Sequence, residues 1–186
     1  MNVNWQPLLE NDLLILRPLK AEDFDTLFKV ASDPLIWEQH PAKIRSTKEG
    51  FELFFNEGLA ANTAFTVIDK KSGDVIGSTR FNPVVESTNA IEIGWTFLGR
   101  QYWGTAYNKS MKALMMDYAF RFVDNVFFYI HEDNHRSQKA VEKLGGVRIT
   151  QWDGVTLSTR PTANVIYRVR RQKSTSPSIP PVPPAT

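Results

Sequence analysis

The amino-acid sequence predicts an α/β fold, a single mixed β-sheet with helices on both faces. Two observations lead to this prediction. Segments in which apolar residues alternate, the period of a strand, are interspersed with segments in which they recur every three or four residues, the period of a helix. The predicted order is strand, two helices, hairpin, and then strand, helix, strand, helix, strand. Since strand–helix–strand units build parallel pairs and hairpins build antiparallel ones, both should share one sheet.

The composition fits one folded domain over residues 1–172 and a disordered tail over residues 173–186, which are rich in Ser and Pro. The net charge of +2 and the absence of a basic run give no support for nucleic acid or a membrane surface as a partner. The chain has no cysteine, which excludes disulfides, thiolate metal sites and cysteine nucleophiles. We see no signal peptide or membrane-span pattern, and we therefore expect a cytoplasmic location.

The first half of the chain predicts a strand, two helices and a hairpin. The strand covers residues 13–19, and the hairpin joins strands at residues 64–69 and 74–81 through a turn at Gly73. A capping-box pattern from Ser46 to Glu49 should start the second helix. The apolar faces of the two helices are listed in order: Phe24, Leu27, Phe28 and Ala31, and then Phe51, Phe54, Phe55 and Leu59. The clustered phenylalanines belong either to the core or to the wall of a substrate pocket.

The second half is organised around residues 90–122, which predict a strand followed by an amphipathic helix. Apolar residues first alternate, at Ile91, Ile93, Trp95 and Phe97, and then follow a helical period at Tyr107, Met111, Leu114, Tyr118 and Phe122. A strand at residues 125–131 comes next. A helix at residues 134–144 follows, capped by Asn134 and stopped by Gly145 and Gly146, and the last strand spans residues 164–170.

The link between this strand and its helix has the spacing Q-x-x-G-x-A, at Gln101, Gly104 and Ala106. Small residues there would let a phosphate approach main-chain N–H groups that have no partner in the first helical turn. The pattern therefore predicts an anion site at a helix N-terminus. Thr105 stands where a nucleotide-binding loop would need lysine, which disfavours a nucleoside triphosphate as the ligand.

Together with N-x-x-S at Asn134 and Ser137 and KLGG at residues 143–146, this pattern resembles the GNAT superfamily of acetyl-CoA-dependent N-acetyltransferases. Within it, the chain is similar to the branch of ribosomal-protein N-terminal acetyltransferases. The resemblance covers residues 13–170. It implies acetyl-CoA as co-substrate, no metal, and direct attack by a primary amine in a ternary complex. The amine would belong to a protein N-terminus or a small molecule, and a homodimer is left open.

The resemblance also implies a cofactor site in a gap between splayed parallel strands. The pantetheine arm would pair with the strand backbone at Trp95, Thr96 and Phe97. Asn134 would lie on the far side of the cofactor, although both it and Ser137 could instead act only as a helix cap and a first-turn polar residue. The pyrophosphate would meet N–H groups around Gln101, Tyr102, Gly104, Thr105 and Ala106.

Glu92 is the predicted general base, because its apolar neighbours on the strand should desolvate it. The alternative is a strand glutamate that faces solvent. The resemblance implies a tyrosine as general acid seven positions after Asn134, but Val141 stands there. Either Ser137 or water would therefore protonate the departing thiolate. A main-chain N–H near residues 95–97 would stabilise the oxyanion.

Two other functions are compatible with parts of the sequence. Residues 131–135 spell H-E-x-x-H, a zinc-hydrolase signature that requires both histidines on one continuous helix. His131 should instead end a strand and His135 should begin a helix, so we expect no zinc there. The other alternative is a protein that binds acetyl-CoA without turnover, or a regulatory one. The acceptor should lie near Trp37, the phenylalanine cluster, Arg80 and Trp152.

Overall fold

The computed structural model describes residues 3–84, 87–152, 155–157, 159 and 163–172. The tail predicted at residues 173–186 lies outside these ranges. The helices are α1 (Phe24–Ala31), α2 (Lys48–Ala61), α3 (Ala106–Ala119) and α4 (His135–Glu142). The strands are β1 (Leu9–Glu10), β2 (Leu14–Pro18), β3 (Ala64–Asp69), β4 (Val75–Pro83), β5 (Ala90–Leu98), β6 (Asn125–Ile130), β7 (Val147–Ile149), β8 (Gln151–Trp152), β9 (Val155–Thr156) and β10 (Val165–Arg170).

Eight of these strands form one sheet in the order β1-β2-β3-β4-β5-β6-β10-β7, and β8 pairs with β9 separately. The β5–β6 pair is parallel and its neighbours are antiparallel, so the predicted mixed sheet is confirmed. Helices cover both faces. Met111 and Met115 of α3 and Val141 of α4 pack in the core cluster of one face, and residues of α1 and α2 pack in another.

The helix ends follow from local chemistry. At the start of α2, Thr47 rather than Ser46 is the N-cap, and its side-chain oxygen accepts the Gly50 N–H at 3.2 Å. Gly73 and Gly145 adopt positive φ, at 78° and 84°, as the hairpin turn and the end of α4 require. Two short 3-10 helices, Pro34–Trp37 and Lys43–Ser46, carry the chain from α1 to α2.

Some predicted boundaries were wrong. Helix α3 ends at Ala119, and Phe122, predicted to lie on its apolar face, is 42% exposed beyond its end. The buried residues of α3 are Met111, Lys112, Met115, Met116 and Ala119. The two- and three-residue strands β1, β7, β8 and β9 were not predicted, because such short strands have no measurable period.

The two central parallel strands separate after three residue pairs. Ala90, Ile91 and Glu92 pair with Asn125, Val126 and Phe127, and the ladder ends there. Both strands continue, β5 to Leu98 and β6 to Ile130. The sheet therefore opens between them, as expected for splayed central strands.

A bulge lies in β5 directly after this point. Ser78 of β4 pairs with Phe97 and Arg80 pairs with Gly94, so β5 contains one residue more than β4 over this interval. Trp95 has φ of 50°, a left-handed conformation that costs a non-glycine residue about 1–2 kcal/mol. Strain of this kind is found preferentially at functional sites.

The structure also bears on membranes. Of the helices in the described ranges, none is both long and apolar enough to cross a bilayer.

Candidate active site

The opening between β5 and β6 leads to the N-terminus of α3. Thr105 caps this helix, since its hydroxyl donates to the Tyr102 carbonyl at 2.6 Å and accepts the Tyr107 N–H at 3.4 Å. Within the described residues, no main-chain carbonyl accepts the N–H groups of Gly104, Thr105 or Ala106. Gly104 has φ of 72°, and no atom of the described residues would lie within 4 Å of a Cβ there. Three main-chain donors are thus available at the positive end of a helix.

Gln101 and Tyr102 lie in the 3-10 helix Arg100–Tyr102 that precedes these donors. The Tyr102 N–H donates to the Gly99 carbonyl at 2.9 Å, so it is already used within the turn. The rings of Tyr102 and Tyr107 are 4.7 Å apart, and the Tyr107 hydroxyl donates to Asp69 at 2.8 Å. These contacts fix the turn against β3.

The second motif lies beside the first. The Asn134 side chain accepts the Ser137 N–H at 3.2 Å, which confirms Asn134 as the N-cap of α4. Trp103 directly precedes Gly104 in sequence, and the Arg136 guanidinium lies 3.7 Å from the centroid of its ring. Arg136 therefore holds the start of α4 against the turn that leads to α3. Val141 is buried in the core at 4% exposure.

Glu92 is buried, with 3% of its surface exposed, so the alternative of a solvent-facing glutamate is wrong. The Asn82 side-chain amide donates to its Oε2 at 3.1 Å. Its Oε1 lies against Gly94, where an added Cβ would approach it to 3.1 Å. This carboxylate is therefore fixed at the last position of β5 that pairs with β6, where these two strands begin to separate.

An apolar pocket with an arginine in its wall lies near the same stretch of β5. The Arg80 guanidinium stacks on the Trp95 ring at 3.6 Å from its centroid. Trp37 packs against Phe97 at 5.4 Å, whereas Trp152 packs against Phe127 in a separate cluster. The clustered phenylalanines belong both to the core and to the pocket wall. The pocket is lined by Leu19, Leu27, Phe51, Phe54, Phe55, Gly58, Ala64, Ser78, Arg80 and Trp95.

His40 and Arg45, which the sequence patterns did not indicate as a pair, are partly buried together beside Trp37. The Arg45 guanidinium lies 4.5 Å from the Phe54 ring centroid, and burial lowers its pKa to about 10. The His40 Nδ1 accepts the Ala42 N–H at 3.0 Å. Burial, followed by the positive charge of Arg45, lowers the pKa of His40 to about 4. This histidine is therefore neutral at neutral pH.

His40 should make the fold sensitive to acid. Its pKa is lower in the folded protein than the usual 6.5, so the unfolded chain binds the proton first and stability falls as pH decreases from about 6.5 towards 4. Between pH 7 and pH 5 we expect a loss of about 2 kcal/mol from this group. Urea unfolding of the wild type and of His40→Gln at both pH values gives the free energy of unfolding of each protein. The contribution of His40 is the decrease between pH 7 and pH 5 in the wild type minus the decrease in His40→Gln. The same loss in His40→Gln would contradict the prediction, and His135→Gln, at an exposed position, is the control.

Lys112 is a second residue that the sequence patterns missed. It is 5% exposed on the inner side of α3, and its Nζ donates to Thr96 Oγ1 at 2.5 Å. Burial lowers its pKa to about 7, while Glu92 opposes that shift. A signal was present in sequence, because Lys112 is four residues before Met116 and seven before Ala119 on a helical face.

The zinc-site alternative does not fit the geometry. His131 follows the end of β6 and His135 is the first residue of α4, so the two histidines are not on one helix. The described side chains contain no group of three or more His, Cys, Asp or Glu residues that could hold a metal ion.

Comparison with known sequences gives a consistent match. The profile of the family described as "Acetyltransferase (GNAT) domain" matches residues 14–147. The chain is 26% identical over 117 residues to "Uncharacterized N-acetyltransferase p20" of Bacillus licheniformis. That match covers 60% of this chain and 65% of the relative, so it spans less than two thirds of the relative's length.

Solved structures share the fold. An acetyltransferase (GNAT family) from Bacillus anthracis has a TM-score of 0.71 at 18% identity, over 88% of this chain and 98% of that one. RimJ of Mycobacterium smegmatis, solved in complex with CoA-disulfide, has a TM-score of 0.67 at 13% identity, over 91% and 90% of the two chains. At these identities the likeness concerns the fold.

Proposed function

Because the chain belongs to the GNAT acetyltransferase family, we propose that it transfers the acetyl group of acetyl-CoA to a primary amine by direct attack in a ternary complex. The observation that carries this proposal is the opening between β5 and β6 after Glu92 and Phe127. This opening lies between a buried carboxylate on one strand and the N–H groups at the start of α3, which have no main-chain acceptor in the described part of the chain.

The residues present fit acetyl-CoA, whose thioester supplies an activated acetyl group. The N–H groups of Gly104, Thr105 and Ala106 would hold its pyrophosphate, with Gln101 and Tyr102 shaping the turn. The β5 backbone at Trp95, Thr96 and Phe97 would hold the pantetheine arm, because β6 no longer pairs with this stretch. Asn134 and the start of α4 would close the far side.

Glu92 would take the proton of the attacking amine. A carboxylate held by Asn82 and removed from bulk water is suited to general-base catalysis, directly or through a water molecule. A main-chain N–H of the bulge at residues 95–97 would polarise the acetyl carbonyl oxygen. Ser137, half-buried in the first turn of α4, or water would protonate the thiolate, because Val141 has no proton to donate.

The acceptor would carry its amine on a peptide N-terminus or on a small molecule. The phenylalanine-lined pocket beside Trp95 favours an acceptor with an apolar group near its amine. RimJ of Mycobacterium smegmatis shares the fold, and the similarity of the motifs to ribosomal-protein acetyltransferases makes N-terminal peptides the first acceptors to test.

The test measures release of the free thiol of CoA from acetyl-CoA with a panel of N-terminal peptides, polyamines, amino acids and aminoglycosides. We expect turnover with at least one acceptor, and mass spectrometry of the product should show one added acetyl group. Thermal stabilisation by CoA without turnover across the panel would instead favour the non-catalytic, acetyl-CoA-binding alternative. Because the chain contains no cysteine, thiol detection has no background from the protein.

A further inference from the structure

The buried ammonium of Lys112 contacts both strands at the bulge. Its Nζ donates to Thr96 Oγ1 of β5 at 2.5 Å and to Thr79 Oγ1 of β4 at 3.4 Å. The two hydroxyls are 2.8 Å apart, and Thr79 is the β4 residue opposite the extra residue of β5. A single side chain of α3 is therefore attached at the place where the register between β4 and β5 changes.

This arrangement is costly for the fold. None of the salt bridges in the described part of the chain includes Lys112, although the charge of Glu92 raises its pKa, and its Nζ also lies 5.7 Å from the centroid of the Phe128 ring. A buried amine that has no carboxylate within salt-bridge distance destabilises a protein relative to an apolar side chain of similar size. An ammonium in such a position is therefore better explained by function than by packing.

Helix α3 links this contact to the proposed phosphate site. Lys112 is six residues after Ala106, which at 1.5 Å per residue places it about 9 Å along the helix from the free N–H groups. The same rigid element thus contacts the bulge through Lys112 and would hold the pyrophosphate at its N-terminus. The position of α3 therefore sets the distance between the bulge in β5 and the proposed pyrophosphate site.

We propose that Lys112 is a positioning residue for acetyl transfer, whose buried amine fixes the bulged backbone at Trp95 and Thr96 relative to the phosphate site. This inference rests on the proposed function. Lys112 acts through Thr96, whose main chain belongs to the stretch that would face the thioester. Without the Lys112 amine, the bulge would keep its Thr79–Thr96 hydrogen bond but lose both hydrogen bonds from Lys112, which leaves the 3.5 Å contact of Thr79 Oγ1 with Met115 Sδ as the remaining link to α3.

The experiment replaces Lys112 with Met, which keeps the length of the side chain and removes the charge. We expect kcat to fall about 10- to 100-fold, because small misplacement of a reacting group has effects of this size. The Kd of CoA should change by less than about threefold, and the melting temperature at pH 7 should equal or exceed that of the wild type. Lys29→Met, an exposed lysine on α1, is the matched control and should leave kcat unchanged.

A chemical rescue separates position from general damage. The chain has no cysteine, so Lys112→Cys introduces one thiol that can be aminoethylated in the unfolded chain and refolded, which restores an ammonium at this position. Recovery of kcat after aminoethylation, relative to untreated Lys112→Cys and to wild type taken through the same steps, would support the inference. Two results would overturn this inference and leave the proposed function standing. One is a wild-type kcat in Lys112→Met, and the other is a fall in kcat that is fully explained by a loss of folding stability. Absence of turnover by the wild type would overturn the proposed function and this inference with it.

Discussion

Replacing Glu92 with Gln is expected to lower kcat for acetyl transfer by about 10²- to 10⁴-fold, the usual contribution of a general base. Glutamine has nearly the same shape and can still accept the hydrogen bond from Asn82, which reaches Oε2 at 3.1 Å in the wild type. The substitution therefore removes the ability to accept the amine proton, and with it the negative charge that raises the pKa of Lys112. Steady-state kinetics with the best acceptor of the panel measure the effect.

The control for this prediction is Glu52→Gln, which neutralises an exposed carboxylate on α2. Its kcat should match that of the wild type. The Kd of CoA should be the same for both variants, because Glu92 lies on β5 and not at the start of α3. If Glu92→Gln keeps more than half of the wild-type kcat at every pH tested, Glu92 is not the base.

Replacing Gly104 with Glu is expected to weaken CoA binding by about 10²- to 10³-fold. The added carboxylate would lie where the pyrophosphate is proposed to bind, and two like charges about 4 Å apart repel by about 4 kcal/mol at an effective dielectric constant of 20. Isothermal titration with CoA measures the change in Kd. Thermal shift measurements with saturating CoA should show the matching loss of stabilisation.

Gly104→Gln is the matched control, because it has the same size and meets the same backbone strain at φ of 72°. A Cβ at this position has no neighbour within 4 Å, so neither variant should create a steric clash within the described structure. Both variants should therefore lose the same folding stability without ligand. Equal CoA affinity in the two variants would show that the pyrophosphate binds elsewhere.

Periodicity and caps were sufficient to predict the fold from sequence. The apolar alternation in residues 64–69 and 90–98 corresponds to β3 and β5, and the cap at Asn134 corresponds to the start of α4. Short strands such as β1 and β7 could not be predicted, because their pairing partners, not their own residues, define them. The end of α3 was placed too late, because Phe122 continues the helical period beyond the last helical residue.

The parts of the candidate site that depend on local sequence motifs could be predicted. The parts that depend on the pairing register between strands could not. The spacing of the Q-x-x-G-x-A and N-x-x-S motifs indicated Gly104 and Asn134 as candidate residues. The apolar neighbours of Glu92 in sequence indicated that its side chain is buried. The bulge at Trp95 arises from pairing between β4 and β5, which no single segment encodes. Lys112 was missed because a charged residue is ordinarily assigned to the solvent side of a helix.

The extra residue in β5 also affects how chimeras of related proteins should be joined, because it changes which face of the sheet the later residues of the strand occupy. Ile91 and Ile93 pack with the α3 cluster, but after the bulge it is Leu98 that does so, while Phe97 joins the aromatic cluster with Trp37 and Phe54. If β5 paired regularly with β4 and kept both bulge residues, the faces of Phe97 and Leu98 would be exchanged. Chimeras joined at residues 94–96 should therefore be aligned so that Gly94 stays opposite Arg80 and Phe97 stays opposite Ser78, and crossovers that shift this pairing by one residue should yield insoluble chains even when both parents fold.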